Sequence, residues 1–192
     1  YELNGSQLFW FKPGDQTLQL RKTLGNLIDS AGYKALSKET FSLALKSTTT
    51  YTDQVKADRI YTDNAIAYFL DLYQGYDIKK HFSFDELSPA RDNYDKDLVL
   101  TRLASVKTAR DLYELEYYIE PAAAEYVSIR NELHKQIVAN DTTKINQLNT
   151  ALNIYRWIWH FNYEKFIIVN IGSTHLKYFE NDSLKAYMKI VA

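Results

Sequence analysis

Residues 141–170 read DTTKINQLNTALNIYRWIWHFNYEKFIIVN, and the period of their apolar positions changes in the middle. Ile145, Leu148, Leu152, Tyr155 and Trp159 recur at intervals of 3, 4, 3 and 4, the pattern of one buried helical stripe, and Asp141 precedes them as an N-cap. After His160 the period becomes two. Phe166-Ile167-Ile168-Val169 is a β-branched run too short for a helix, Leu176 and Tyr178 alternate with Lys177 and Phe179, and Asn181-Asp182 supplies a hairpin turn before a strand over Leu184 to Val191. A long helix that hands over to a three-stranded antiparallel meander predicts a mainly α fold with a small C-terminal β part, α+β overall. The expected division is a helical domain over 1–160 and a β segment over 161–192.

Upstream, helical spacing dominates. Leu8-Phe9-Trp10-Phe11 forms an apolar plug closed by the turn residues Lys12-Pro13-Gly14. Asp15 is placed to cap a helix with Leu20, Leu24, Leu27, Ile28 and Ala31 on one face and Gly32 as its stop. A shorter helix is expected from Ser37 through Phe41 and Leu45, ending in Ser47-Thr48-Thr49-Thr50, whose hydroxyls compete for backbone hydrogen bonds. A third runs from about Asp53 to Gln74, carrying Tyr61, Ala65, Tyr68, Phe69 and Leu72 inward and stopping at Gly75. Residues 76–93 read as a connecting loop with one helical turn. Helical spacing returns at Leu98, Val99 and Leu103, then at Leu112, Leu115 and Ile119, and Pro121 ends that run. A new helix starts at Ala122 and reaches Ala139 with Tyr126, Ile129, Leu133 and Ile137 inward.

Composition bounds the chemistry. The 192 residues carry a net charge of −1, with 46% hydrophobic residues, so a sizeable core is expected and disorder is excluded. No block of basic residues exists to gather phosphates, which makes nucleic acid an unsuitable partner. No run approaches the ~18 apolar residues of a membrane span. The chain opens on Tyr rather than Met, with no basic-then-apolar leader, and reads as processed or excised from something longer. Aromatic content is high: 16 Tyr, 9 Phe and 3 Trp. Tyrosine in excess of phenylalanine suits half-wet positions, either rims around helix packing or a sugar- or peptide-binding surface.

Catalytic arrangements are missing. With no cysteine there is no disulfide, thiolate metal site or cysteine nucleophile. The histidines at 81, 134, 160 and 175 never fall at a paired metal spacing, and His160 is expected to bond a loop carbonyl. The six glycines are too scattered for a phosphate loop, so no cofactor is expected. Gly172-Ser173-Thr174-His175 reads as a β-turn, and Asp85, Glu86, Asp92, Asp95 and Asp97 as caps and solvent-facing carboxylates. No catalytic, cofactor-binding or metal residue is assigned.

Asn153-Ile154-Tyr155-Arg156-Trp157-Ile158-Trp159 resembles the Asn-x-x-Arg-Trp-x-Trp signature that ends the helical scaffold region of large L,D-transpeptidases. Val169-Asn170-Ile171 is similar to the Val-Asn-Ile that follows it, and Leu176 to Glu180 with Met188 to Val191 is similar to the opening hairpin of the family's catalytic domain. Weaker, collinear likeness runs through Leu8 to Phe11, Ser30 to Tyr33, Thr62 to Ala65, Leu72 to Gly75 and Pro121, Tyr126 and Leu133. Tyr155, Ile158 and Phe161 depart from the usual acidic residue, second Arg and Pro.

The resemblance implies a scaffold joined to the first strands of a catalytic domain, acting on peptidoglycan in the cell envelope, periplasmic or extracytoplasmic. It implies that Asn153, Arg156, Trp157 and Trp159 form the junction between helices and sheet. Arg156 is expected to pair with an acid or stack on a ring, and Trp159 to lie on the core stripe. In that family a thiolate attacks a stem-peptide amide and an amine resolves the thioester. The cysteine lies downstream of the first hairpin, so this chain is expected to be inert and truncated, with the missing catalytic domain as its partner. Glycan or stem peptide are further candidate partners, and the open last strand invites an edge-to-edge dimer. The alternative is a non-enzymatic envelope binding or adaptor protein that recognises glycan or a protein partner through its Tyr-rich surface.

Overall fold

The computed structural model describes residues 8–43, 48–76, 96–160, 164–181 and 183–191. Among them are six α-helices and one antiparallel sheet: α1 (Asp15–Asp29), α2 (Tyr51–Gln74), α3 (Lys96–Ser105), α4 (Ala109–Ile119), α5 (Ala124–Ala139), α6 (Thr142–Trp159), then β1 (Lys165–Asn170), β2 (His175–Glu180) and β3 (Ser183–Lys189). The fold is mainly α with a small β part. The chain divides into two compact units, Tyr1–His160 and Phe161–Ala192.

In the helical unit α2 is the central element, in contact with α1, α3, α4 and α6, while α5 and α6 form an antiparallel pair. Ala65, Tyr68, Phe69 and Leu72 of α2 are fully buried, at the spacing the sequence predicts. Thr50 caps α2 by accepting the Asp53 N–H, and Gly75 ends it at φ 82°, a left-handed value that glycine adopts without strain. Asp141 caps α6 by accepting the Lys144 N–H, as expected. The apolar plug is held by a buried carboxylate. Asp58, 1% exposed, accepts the backbone N–H groups of Phe9, Trp10 and Phe11 at 3.1, 2.6 and 3.0 Å, and the Trp10 indole N–H donates to Thr62 Oγ1 at 3.1 Å.

Several boundaries differ from the sequence reading. Asp15 is the first residue of α1 and makes no side-chain cap; Gly14, at φ 135°, turns the chain into the helix. α1 stops at Asp29, because Ala31–Lys34 tightens into a 3₁₀ turn that includes Gly32. The helix expected from Ser37 is only a 3₁₀ turn over Lys38–Thr40, with buried Phe41 extended after it; Leu45 and Ser47 lie outside the described residues. The run from Leu98 to Ile119 is two helices, divided at residues 106–108 by a capping box in which Thr108 and Asp111 satisfy each other's backbone N–H. Pro121 does not open α5, which starts at Ala124 after an extended Ala123. Most of the 76–93 loop, Asp182 and Phe161 also lie outside the described residues.

The sheet has the order β1-β2-β3. Phe166 faces Phe179, Val169 faces Leu176, and Leu176 in turn faces Met188. Phe166 and Phe179 stack with centroids 4.9 Å apart. None of its described residues is buried: Ile167 is 59% exposed, Leu184 51% and Tyr187 58%.

Candidate functional site

α6 makes two different contacts, and this decides where its signature residues point. Ile145, Leu148, Leu152 and Tyr155 pack with Tyr126, Ile129, Leu133 and Ile137 of α5. The neighbouring face of α6, formed by Asn153, Arg156 and Trp157, is also buried. Asn153 donates its amide to the Ala35 carbonyl at 2.8 Å and accepts the Tyr76 N–H at 2.8 Å, tying α6 to the segments that follow α1 and α2.

Arg156 is completely buried, and its hydrogen-bond partners among the described residues belong to the helical unit. Its guanidinium donates to the Lys34 carbonyl at 2.6 Å, the Tyr126 hydroxyl at 2.7 Å and Asn153 Oδ1 at 3.2 Å. It lies 3.7 Å from Glu120 Oε1 and 5.5 Å from the centre of the Tyr126 ring, so it both pairs with an acid and faces a ring, the two options the sequence left open. Its Nε has no acceptor among the described residues.

The network continues through α4. Tyr126 donates its hydroxyl to Glu120 Oε1 at 2.9 Å, while Lys34 Nζ bridges Glu116 and Glu120 at 3.1 and 3.3 Å. Arg130 reaches Glu120 at 2.6 Å, and Tyr68 donates to Glu116 at 2.6 Å. Three cations thus surround two carboxylates in a nearly dry site. Burial pushes the Glu120 carboxyl up, but Lys34, Arg130 and Arg156, together with the Tyr126 hydroxyl, outweigh it and hold the carboxyl below its usual value. Burial raises the Tyr68 and Tyr126 hydroxyls, so both stay protonated and act as donors. Asp71, near Arg156, is pushed up to about 6 by burial, with Arg156 pulling the other way.

Two ends of this network reach the surface. Glu120 and Arg130 line a groove of about 900 Å³ between the end of α3, the length of α4, the start of α5 and the last turn of α6. Its walls carry Tyr117, Tyr118 and Trp159, which are 84%, 51% and 45% exposed. Trp159 is therefore not on the core stripe, although it continues the 3-4 spacing: among the described residues it lies in the groove wall. Trp157, two residues earlier, is the buried tryptophan at 8%. Tyr117 and Tyr118 follow the apolar positions of α4 and attracted no notice in the sequence, although adjacent tyrosines beside an inward Ile119 must face outward by helical geometry.

The described histidines each have a partner of their own. His160 points its Nε2 at the Ile119 carbonyl, 3.0 Å away, which is a carbonyl as expected but belongs to the last residue of α4 and not to a loop, and its ring lies tilted against Tyr73 with centroids 4.0 Å apart. Burial drives its ring down to about 4, so it is neutral and donates Nε2–H to that carbonyl. His134 contacts the Tyr33 carbonyl at 2.9 Å, His175 stacks on Tyr187, and Gly172 to Thr174 form the turn between β1 and β2. Among the described residues no three His, Cys, Asp or Glu side chains gather as a metal site, and no helix is long and apolar enough to cross a membrane.

Neither curated proteins nor solved structures provide a significant match to the chain. A family match does exist, and it covers α1 to α4, most of α5 and the groove residues Arg102 to Arg130, but not the signature on α6. Residues 1–133 match the Scaffold domain family, and the chain belongs to it.

Proposed function

We propose that the chain is the scaffold part of an L,D-transpeptidase-like protein of peptidoglycan cross-linking in the cell envelope, and that it performs no acyl transfer by itself. The observation that carries this reading is the sheet. Three strands with no buried residue have no core of their own, and β1 and β3 each keep one edge without a strand partner among the described residues. Such a sheet needs further protein to cover its faces and continue its ladder. A catalytic domain that carries the cysteine supplies both, or a second copy pairs through the same edge. Asn153, Arg156, Trp157 and Trp159 then serve as the junction, with Asn153 and Arg156 fixing the last turns of α6 from beneath.

The test compares two proteins by intact mass after incubation with a carbapenem. The product of the complete reading frame is expected to gain a covalent adduct on cysteine, and the 192-residue chain to gain none. Labelling of the 192-residue chain, or a complete product that contains no cysteine, would overturn the proposal. The second reading, an envelope protein that binds glycan or a partner without catalysis, is favoured by the aromatic groove beside Trp159.

A further inference from the structure

We propose that the groove lined by Tyr117, Tyr118, Trp159, Arg102 and Lys107 binds a saccharide that bears a carboxylate. This deepens the glycan-binding reading and does not depend on the chain belonging to a transpeptidase.

The first argument is shape with ring exposure. A half-open groove of about 900 Å³ is of ligand size, and three large rings stand in its wall instead of in the adjacent core. A pyranose ring has two apolar faces of C–H groups and a rim of hydroxyls. An aromatic face covers the first, and Tyr hydroxyls, the Trp indole N–H and cations answer the second.

The second argument is charge. The groove's carboxylates are already engaged: Asp111 accepts the Lys107 and Thr108 N–H groups at 2.8 Å each, Glu114 pairs with Arg110 at 2.6 Å, and Glu120 is held by Lys34 and Arg130. Arg102 and Lys107 have no ion pair among the described residues. The Arg102 guanidinium carbon lies 3.7 Å from the centre of the Tyr118 ring, and both residues line the groove. Arg102 and Lys107 thus place two cations beside the rings, where a sugar carboxylate finds its partners. Two such cations are too few for a phosphate polymer. No strand among the described residues lines the groove, so an extended peptide finds no sheet ladder to join there.

The molecule supplies its own reporter. Trp10 and Trp157 are 1% and 8% exposed, so a change in tryptophan emission on ligand addition reads Trp159. The 192-residue chain is titrated with N-acetylglucosaminyl-N-acetylmuramic acid, with chitobiose as the same skeleton lacking the carboxylate, and with tetraglutamate as a carboxylate lacking the sugar. Saturable change with the acidic disaccharide is expected, at least about tenfold tighter than with either control. Arg102→Gln and Tyr117→Ala are each expected to weaken it about tenfold, with unchanged far-UV circular dichroism because both side chains are on the surface. No response up to about 10 mM, equal affinity for chitobiose, tighter binding of tetraglutamate, or an Arg102→Gln variant that binds like the parent would each overturn the proposal. The carbapenem experiment is independent, so either reading can fail while the other stands.

Discussion

Replacing Arg156 tests whether the buried network holds the helical unit together. In Arg156→Ala, the Lys34 carbonyl loses a charge-assisted donor at 2.6 Å and the Tyr126 hydroxyl loses one at 2.7 Å. Each such bond contributes about 1.5–3 kcal/mol when buried, and the vacated volume adds a cavity term of about 1 kcal/mol. Two effects reduce the total. The guanidinium no longer has to be desolvated with its Nε unmatched, and Glu120 keeps Lys34 and Arg130, so no carboxylate is orphaned. The net expected loss is about 3–4 kcal/mol, a large part of the ~5–15 kcal/mol that stabilises a typical domain. Arg156→Met fills most of the space and isolates the hydrogen-bond share, so it should lose about 2 kcal/mol. Urea unfolding followed at 222 nm gives both values, and a double-mutant cycle with Tyr126→Phe should show a coupling of about 1 kcal/mol or more. A loss below about 1 kcal/mol for Arg156→Ala, or an Arg156→Met variant as stable as the parent, would refute the reasoning.

Other outcomes follow from the same geometry. His160 sits at about 4 when folded against an ordinary 6.5, so below 6.5 the unfolded chain binds the extra proton and stability falls as pH drops toward 4. Asp71 runs the other way: with its folded value raised to about 6, stability falls as pH rises from 4 to 6. The parent's urea midpoint should therefore vary little across pH 4–6.5, while His160→Gln should slope down with rising pH and Asp71→Asn should slope up. Parallel profiles for all three proteins would contradict the assignment. Thr108→Ala removes one half of the capping box and should cost about 1 kcal/mol, whereas the adjacent Lys107→Ala should cost under about 0.5 kcal/mol.

Periodicity carried most of the helical architecture and the change to strands after His160, because one-sided burial leaves a direct trace in the sequence. Local chemistry carried the caps at Asp141 and Gly75. The division between α3 and α4 was also legible, since Thr108-x-x-Asp111 is a capping pattern, but the continuous apolar spacing on either side concealed it. Arg156 was harder. A charged residue at 0% exposure contradicts the expectation for its type, and only the convergence of Lys34, Glu120, Tyr126 and Asn153 from distant parts of the chain explains it. The groove was less legible still: Arg102, Tyr117 and Trp159 lie far apart in sequence, and no local pattern states that helix ends meet there. The excess of tyrosine hinted at a wet aromatic surface without locating it.

Asp58 has a bearing on where this domain can be cut. It grips three successive amides just ahead of Pro13, so Phe9, Trp10 and Phe11 behave as a latch rather than a tail. A proteolytic nick or a cloning boundary placed after Pro13 would strip those donors from a carboxylate that is 1% exposed and would remove Trp10 from the core at the same stroke. Fusion partners and tags therefore belong upstream of Leu8, and a fragment that starts at α1 should be recovered misfolded or not at all.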